Sequence, residues 1–252
     1  MKFLFFFFFF FFKFLVLSIN PSYSFISLNC DDTISVALTI QQTCQNEDTL
    51  IITSGGSVIL TGSDAIDADS VSGVTIENRG TISASVNQAI DMQHAVNTTV
   101  TNSGTIEATL RNAILMDGTN ADNNTVNNSG TLKAGKKQVI LATNSENTTI
   151  INSGSIQTSD SNNQNTSGIN YYNSSGSAIN GATITNSGTI FAYGHAIRFG
   201  TSGIASKAVN NMTITNSGTI EGGTASIAVN NANATGTNII TKDEGTYIGE
   251  IS

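Results

Sequence analysis

Three acidic side chains that lie close together, Asp64, Asp67 and Asp69, are the strongest candidates for chemistry in this sequence. Glycoside hydrolysis requires carboxylates placed across a groove, and Ca²⁺ is bound by several carboxylate and carbonyl oxygens. Because side chains alternate along a strand, Asp67 and Asp69 would share one face. Short segments rich in Asp, Gly and Ser are also ordinary solvated turns. We therefore expect neither a metal site nor a catalytic carboxylate pair here.

The histidines and arginines do not suggest a shared catalytic site either. His94 and His195 are 101 residues apart, and the spacing indicates no carboxylate partner for either one. A polysaccharide lyase would need Arg or Lys beside its acids, but Arg79, Arg111 and Arg198 fall at different phases of the repeat described below. The sequence predicts surface or turn positions for both histidines, no catalytic residue and no cofactor.

The composition of the whole chain limits its partners. Only 11% of the 252 residues are charged, there is no Trp, and the one proline is Pro21. The formal net charge is −8, and no basic cluster is larger than Lys136–Lys137. Phosphate binding depends on such clusters, so we do not expect nucleic acid as a partner. An anionic surface rich in Asn, Ser and Thr suits a protein outside the cell.

Residues 1–24 have the pattern of an export signal. A basic Lys2 precedes an apolar run from Phe3 to Leu17 that only Lys13 interrupts. This run is shorter than the roughly 20 residues that a membrane-spanning helix needs. A basic start, an apolar middle and small residues up to Ser24 are typical of a secretory signal peptide. We predict cleavage near Ser24, and the alternative is an uncleaved N-terminal anchor.

Two cysteines, Cys30 and Cys44, follow this signal at a separation of 14 residues. In an exported chain such a pair predicts one disulfide, although two free thiols are the alternative. A disulfide that closes a loop of this size contributes about 3 kcal/mol in the chain-entropy model. We assign residues 25–48 to an N-terminal cap, because the first open strand edge of a repeat fold has to be covered.

An internal repeat organises residues 49–252. Phrases of the form Thr-Ile-Thr-Asn-Ser-Gly-Thr-Ile occupy residues 74–82, 99–106, 125–132, 149–156, 183–190 and 213–220, with weaker copies at 51–58 and around 243–246. Ala-Ile or Val-Ile pairs form a second signal between the phrases, at Ile66, Ile90, Ile114 and Ile140. Three short runs rich in Ile, Val and Thr per period of about 24 residues predict three strands per turn. We therefore predict an all-β, right-handed, single-stranded parallel β-helix of about eight coils.

The Asn-Ser-Gly phrase is predicted to form the corner between two of these strands, because Gly and then Asn best tolerate left-handed backbone. Stacked turns would place the asparagines above one another as a ladder of amides. Counted from the glycines, Ser54 and Asp243 would take the place of the asparagine in the first and the last coil. The predicted corner residues are Asn78, Gly80, Asn102, Gly104, Asn128, Gly130, Asn152, Gly154, Asn186, Gly188, Asn216 and Gly218.

This combination of an export signal with Ile-x-Asn-Ser-Gly-Thr-Ile and Ala-Ile repeats resembles the passenger region of autotransporters, the type V secreted proteins of Gram-negative bacteria. The resemblance covers residues 49–252 and implies a β-helix at the outer membrane or released from the cell. It implies no single activity, since passengers include adhesins, proteases, esterases and toxins. The family also implies a C-terminal membrane β-barrel, which this sequence does not supply. We expect the natural polypeptide to continue beyond Ser252.

Two longer periods interrupt the regular spacing, one between Gly154 and Gly188 and one between Gly188 and Gly218. Loops extruded from a rigid scaffold often carry binding sites. Tyr171 and Tyr172, within the first insertion, could stack on a sugar ring or on a partner's side chain. Either Gly168-Ile169 or Ala178-Ile179 could replace the missing Ala-Ile pair in this turn.

We conclude from the sequence that the chain is an exported, non-enzymatic surface or secreted β-helix that serves adhesion or surface contact with a protein or glycan ligand. The alternative is a carbohydrate-active β-helix enzyme, either a polysaccharide lyase or a glycoside hydrolase. A groove with two or three convergent acids would favour this alternative. A third possibility is a fragment whose function lies in other parts of the polypeptide.

Overall fold

The structure is a computed structural model that describes residues 30–118, 120–172, 179–200, 209–229, 238–241 and 245–251. The predicted signal peptide, residues 1–24, lies outside these residues. The described parts consist of strands and turns. They include no helix long and apolar enough to cross a membrane.

The strands follow one another in short triplets, one triplet to a turn. The first three turns contain β1 (Thr33–Ile34), β2 (Ala37–Leu38), β3 (Gln42–Thr43), β4 (Thr49–Ile52), β5 (Ser57–Leu60), β6 (Ile66–Asp67), β7 (Thr75–Asn78), β8 (Thr81–Ala84) and β9 (Ile90–Asp91). The next three contain β10 (Thr99–Asn102), β11 (Thr105–Ala108), β12 (Ile114–Asp117), β13 (Thr125–Asn128), β14 (Thr131–Ala134), β15 (Ile140–Thr143), β16 (Thr149–Asn152), β17 (Ser155–Thr158) and β18 (Ser167–Tyr172). The remaining strands are β19 (Ile179–Asn180), β20 (Thr183–Asn186), β21 (Thr189–Ala192), β22 (His195–Phe199), β23 (Val209–Asn210), β24 (Thr213–Asn216), β25 (Thr219–Val229), β26 (Asn238–Thr241) and β27 (Thr246–Ile251).

Equivalent strands of successive turns pair in parallel and form three columns. The first column runs β1-β4-β7-β10-β13-β16-β20-β24-β26, the second runs from β2 to β25, and the third runs from β3 through β22 to the second half of β25. The long β25 joins the second and third columns into one sheet. The result is a right-handed parallel β-helix, which confirms the predicted fold class.

The core of the helix is built from the repeated aliphatic positions. In the first two columns burial alternates along each four-residue strand, so that the second and fourth residues face inward. Matching residues stack in register, as Ile76, Val100 and Val126 do in the first column. In the third column two consecutive residues, such as Ala89 and Ile90, are both fully buried. Burial of these stacked aliphatics is the main favourable contribution to the fold.

The segment that we expected to cap the rod forms a short turn of its own. Its strands β1, β2 and β3 pair with β4, β5 and β6 of the next turn. Cys30 and Cys44 are joined by a disulfide with a Cα–Cα distance of 4.4 Å, and both are buried. The backbone N–H of Cys30 also donates to the carbonyl oxygen of Thr43. The disulfide therefore closes the apolar interior at the N-terminal end of the described chain.

The two longer periods add a small extra sheet beside the regular columns. Strands β19 and β23 pair with each other in parallel, one from each of these periods. The third-column strand of the first long period is β18, in which Ile169 pairs with Ile140 on one side and Ile197 on the other. Gly168-Ile169 therefore replaces the Ala-Ile pair, while Ala178 lies outside the described residues.

Candidate functional site

The Asn-Ser-Gly corner contains a continuous ladder of buried amides. Each asparagine except the last donates from its Nδ2 to the Oδ1 of the equivalent asparagine one turn further along, at 2.7–2.8 Å. The same Nδ2 group also contacts a carbonyl oxygen of its own corner and one of the next turn. The six members are Asn78, Asn102, Asn128, Asn152, Asn186 and Asn216. Their amide groups are satisfied within the rod, so the ladder stabilises the fold.

The ladder begins at Asn78. It does not include Ser54, although counting from the repeat glycine had predicted that Ser54 takes the place of the asparagine in the preceding turn. Ile52 is the register partner of Asn78, and the chain then takes two more residues than in later turns to reach the second column. Ile52 is fully buried and has no amide to contribute. Counting residues back from Gly56 therefore gave the wrong partner. Asp243 lies outside the described residues.

The prediction that the corner glycines adopt left-handed backbone is wrong. Gly80, Gly104, Gly130, Gly154, Gly188 and Gly218 are not among the residues with positive φ. The requirement for glycine comes from close stacking of the turns. A Cβ on Gly104 would lie 2.7 Å from the carbonyl carbon of Arg79 and still closer to the carbonyl oxygen of Gly80. Real Cβ atoms essentially never approach other atoms within 3.0 Å, so these corners have no space for a side chain.

Left-handed backbone occurs instead just before each strand of the first column. Glu47, Gly73, Asn97, Asn123 and Asn147 occupy equivalent places in successive turns, with φ between 52° and 74°. Gly and Asn are the residues that adopt this conformation most readily. The asparagines are exposed and stand two residues before a strand-forming Thr, which accounts for the Asn-x-Thr sequences at this position of the repeat.

Tyr171, which we had assigned to an exposed binding loop, is a core residue. It is 0% exposed, and its ring stacks on that of Phe199 with centroids 5.8 Å apart. Its hydroxyl is 3.0 Å from the Oγ1 of Thr148. Because it lies two residues after the inward Ile169, the strand alternation turns it inward as well. Tyr172 is half-buried and lies on the opposite face of β18, so only Tyr172 remains a candidate for ligand contact.

The structure brings acidic residues of two turns together on the outer face of the third column. Asp67 and Asp91 are register partners on β6 and β9, and Asp64 accepts a hydrogen bond from the backbone N–H of Gln88. Burial raises the pKa of Asp91 to about 7, and the nearby carboxylates of Asp64, Asp69 and Asp67 add to this rise. Burial also raises the pKa of Asp64. Asp91 was missed in the sequence, although it lies one period after Asp67.

Two basic groups lie beside these acids, which the sequence spacing had not suggested. The Nδ1 of His94 is 3.1 Å from the Oδ1 of Asp69, and both side chains are about half exposed. The guanidinium of Arg111 acts on Asp64 electrostatically and lowers its pKa, against the larger effect of burial. His94 therefore has a carboxylate partner that the spacing of the sequence did not indicate. Among the described residues, no group of three or more His, Cys, Asp or Glu side chains could hold a metal ion.

His195 and Arg198 lie on the same outer face, further along the rod. Both belong to β22, so His195 lies on a strand, where the sequence had predicted a surface or turn position. Arg198 is 7% exposed. Burial lowers the pKa of His195, and the nearby Arg198 guanidinium lowers it further. The outer face of the third column thus carries an acidic region near one end of the rod and a basic and amide-containing region near the other.

The sequence could have indicated this face from the positions that flank the buried pair of the third column. Asp64, Gln88, Asn112 and Gln138 precede the pair in successive turns, and Asp67 and Asp91 follow it. Polar residues therefore recur before the buried pair in all four turns, and an acidic residue follows it in the first two. No family model, curated protein or solved structure matches this chain.

Proposed function

We propose that this chain is an exported, non-enzymatic β-helix of the autotransporter passenger type, which serves adhesion or another form of surface contact. The observation that carries this proposal is the unbroken ladder of buried amides from Asn78 to Asn216. It ties six successive turns into one stiff rod. Stacked repeats of this kind expose long lateral surfaces, which suit contact with an extended partner.

Composition and charge support a place outside the cell. The formal charge of −8 and the low content of basic residues disfavour nucleic acid as a partner. The pattern of residues 1–24 favours export, and a disulfide between Cys30 and Cys44 suits an oxidising compartment. The proposed partner is a protein or glycan on another surface.

Export is tested by expressing the full chain in a Gram-negative host and measuring the mass of the protein found outside the cytoplasm. We expect a species that begins at Phe25, with the disulfide formed. A chain that keeps residues 1–24 and stays in the cytoplasm would contradict the export part of the proposal. Replacing Leu15 by Arg should block export without any effect on the rod itself, since residue 15 precedes the repeat.

Surface contact is tested with the exported protein coupled to beads that are then applied to cultured epithelial cells. We expect more beads to remain attached than with albumin-coated beads, and proteolysis of the coat should abolish the difference. If protein-coated and albumin-coated beads attached equally to epithelial cells, and also equally to bacterial cells, the result would contradict a role in adhesion.

A carbohydrate-active enzyme is the second candidate function, and the convergence of acids on the third column favours it. Asp64, Asp67, Asp69 and Asp91 interact electrostatically, and the pKa of Asp91 is raised to about 7. A carboxylic acid with such a pKa is partly protonated near neutral pH and could act as a general acid beside an ionised carboxylate. Such a pair is the arrangement that glycoside hydrolysis requires.

The second candidate is tested by incubating the full chain with neutral and acidic polysaccharides and measuring new reducing ends. For an enzyme of this kind, Asp91→Asn should lower the rate by about 10²–10⁴-fold. Glu77→Gln is the matched control, because Glu77 lies on the first column and pairs with Arg79. No release of reducing ends from any substrate, or equal rates for both variants, would reject an active site at Asp91.

A further inference from the structure

The outer face of β18 and β22 carries four polar side chains side by side. Asn170 lies between the core residues Ile169 and Tyr171, and Arg198 lies between Ile197 and Phe199, so both project away from the core. They are register partners. Ser167 and His195 are also register partners and precede the buried pair of the column in their turns. The electrostatic effect of Arg198 on His195 agrees with a common outer face.

Unsatisfied polar atoms are concentrated at this place. Among the described residues, five buried side-chain polar atoms have no hydrogen-bond partner, and three of them are Ser167 Oγ, Asn170 Oδ1 and His195 Nδ1. Ser167 is 0% exposed and Asn170 is 2% exposed. A buried polar atom without a partner is costly, and native structures contain few. Three on one small patch indicate that their partners come from a bound molecule.

The chemistry of the four side chains defines the kind of molecule. The Oδ1 of Asn170 accepts a hydrogen bond, the Ser167 hydroxyl donates and accepts, and the neutral His195 imidazole does either according to its tautomer. These are partners for hydroxyl groups. Arg198 carries five donors in a planar fork, so it can bind a carboxylate in addition to its contacts within the protein.

The patch also has the size and the borders of a saccharide subsite. Neighbouring strands are about 4.8 Å apart and each residue advances about 3.3 Å, so the four side chains span roughly 5 by 10 Å. Leu141 is the neighbour of Asn170 on the preceding turn, and Ala228 is the neighbour of Arg198 on the following one. Tyr172 projects from the same face as Asn170 and is partly exposed, so its ring could cover the apolar face of a sugar.

We infer that Ser167, Asn170, His195 and Arg198 form a binding subsite for an acidic saccharide, with Tyr172 at its border. The carboxylate of a uronic acid binds Arg198, and its ring hydroxyls bind the other three side chains. The subsite does not depend on export or on surface contact, and it lies apart from the acids around Asp91. It would give the rod a defined glycan ligand.

The test is a titration of the full chain with glucuronate, glucose and acetate, followed by isothermal calorimetry and by NMR shifts of the backbone amides. Glucose presents similar hydroxyls without the carboxylate, and acetate presents the carboxylate alone. We expect glucuronate to bind at least about tenfold more tightly than either, because both kinds of contact are needed. Absence of glucuronate binding would overturn the inference, and equal binding of acetate would overturn its saccharide part.

Variants locate the site. Arg198→Met should remove most of the preference for glucuronate over glucose, and Tyr172→Ala should weaken both sugars by about threefold or more. Arg79→Met is the matched control, since Arg79 is more than half exposed on the first column and pairs with Glu77. Because Arg198 is buried, circular dichroism must first establish that its variant folds. If that variant does not fold, Tyr172→Ala decides: unchanged glucuronate affinity would contradict the assigned position.

Discussion

Substitution of Gly104 tests why the Asn-Ser-Gly corner needs glycine. A Cβ there would lie 2.7 Å from the carbonyl carbon of Arg79 and closer still to the carbonyl oxygen of Gly80. Because both of these atoms belong to the backbone, the two turns must move apart to admit it. The backbone hydrogen bonds that hold them together include those from the N–H of Thr105 to Gly80 at 2.9 Å and from the N–H of Gly104 to Asn78 at 3.2 Å.

The expected loss of stability follows from these two hydrogen bonds. Leaving buried backbone groups unpaired costs about 1–3 kcal/mol each, so Gly104→Ala should destabilise by roughly 2–6 kcal/mol. Gly104→Asn should cost at least as much, because the clash arises at the Cβ that both side chains share. Gly104→Val, with a larger side chain, should cost no less.

The control is Gly73→Asn. Gly73 has φ of 74°, and the equivalent residues of the next turns are asparagines with the same conformation. The atoms nearest to its added Cβ belong to the carboxylate end of the exposed, flexible Glu47 side chain. We therefore expect a change within about 0.5 kcal/mol.

The assay is urea unfolding followed by the strand signal in circular dichroism, with wild type and the variants compared at equal protein concentration. A Gly104→Asn variant clearly more stable than Gly104→Ala would refute the steric account, because that ranking belongs to a left-handed backbone. An unchanged midpoint for Gly104→Ala would mean that the corner is wrongly placed.

Three further changes probe the ladder, the acidic region and the core. Asn128→Ala should lower the free energy of unfolding in urea by about 2–4 kcal/mol, because it leaves buried amide partners unpaired. The control is Asn127→Ala, an outward position, which should change stability by less than about 0.5 kcal/mol. Equal effects of the two substitutions would mean that the ladder is not a source of stability. The pKa of Asp91 rises from 3.8 to about 7 on folding. The contribution of Asp91 to the stability of the folded state is therefore most favourable below pH 4 and is lost as the pH rises to 7. The full shift corresponds to about 4 kcal/mol, which solvent screening of this partly exposed group reduces to about 1–2 kcal/mol. Asp91→Asn should therefore raise the melting temperature at pH 8 and not at pH 4, and a pH-independent gain would contradict the assignment. Tyr171→Ala should cost about 3–5 kcal/mol by leaving a cavity, and thermal unfolding should show only a small change for Tyr172→Ala; the reverse order would mean that the strand faces are exchanged.

Much of the fold follows from the repeat because the period of the sequence is the length of one turn. Val100 and Val126 are 26 residues apart in the chain and become direct neighbours in register. The asparagines of the corner recur with the same phase, so their amides also meet. The sequence could not reveal why Gly104 is glycine, since left-handed backbone and close stacking both favour that residue.

The candidate sites were harder to predict because outward side chains follow the repeat less regularly than inward ones. His94 meets Asp69 from the preceding turn, at a separation of 25 residues that is one more than the local period. Asp91 owes its raised pKa first to burial and then to the carboxylates of Asp64, Asp69 and Asp67, which lie one turn earlier. Such contacts depend on turn length and side-chain direction, which the spacing along the chain does not specify.

By itself, then, the sequence determined the parallel stacking, the inward aliphatic positions and the column of corner asparagines. Each of these follows because residues of one type recur at the same position of the repeat. Only the tertiary structure decided which of two pairs continues the third column in the first long period, and hence whether Tyr171 faces the core. A shift of strand alternation by one residue exchanges the two faces of a strand. Because of the insertion, the sequence offers no fixed residue from which inward and outward positions can be counted in this turn. In the structure, the stacking of Tyr171 on Phe199 shows which face of the strand is inward.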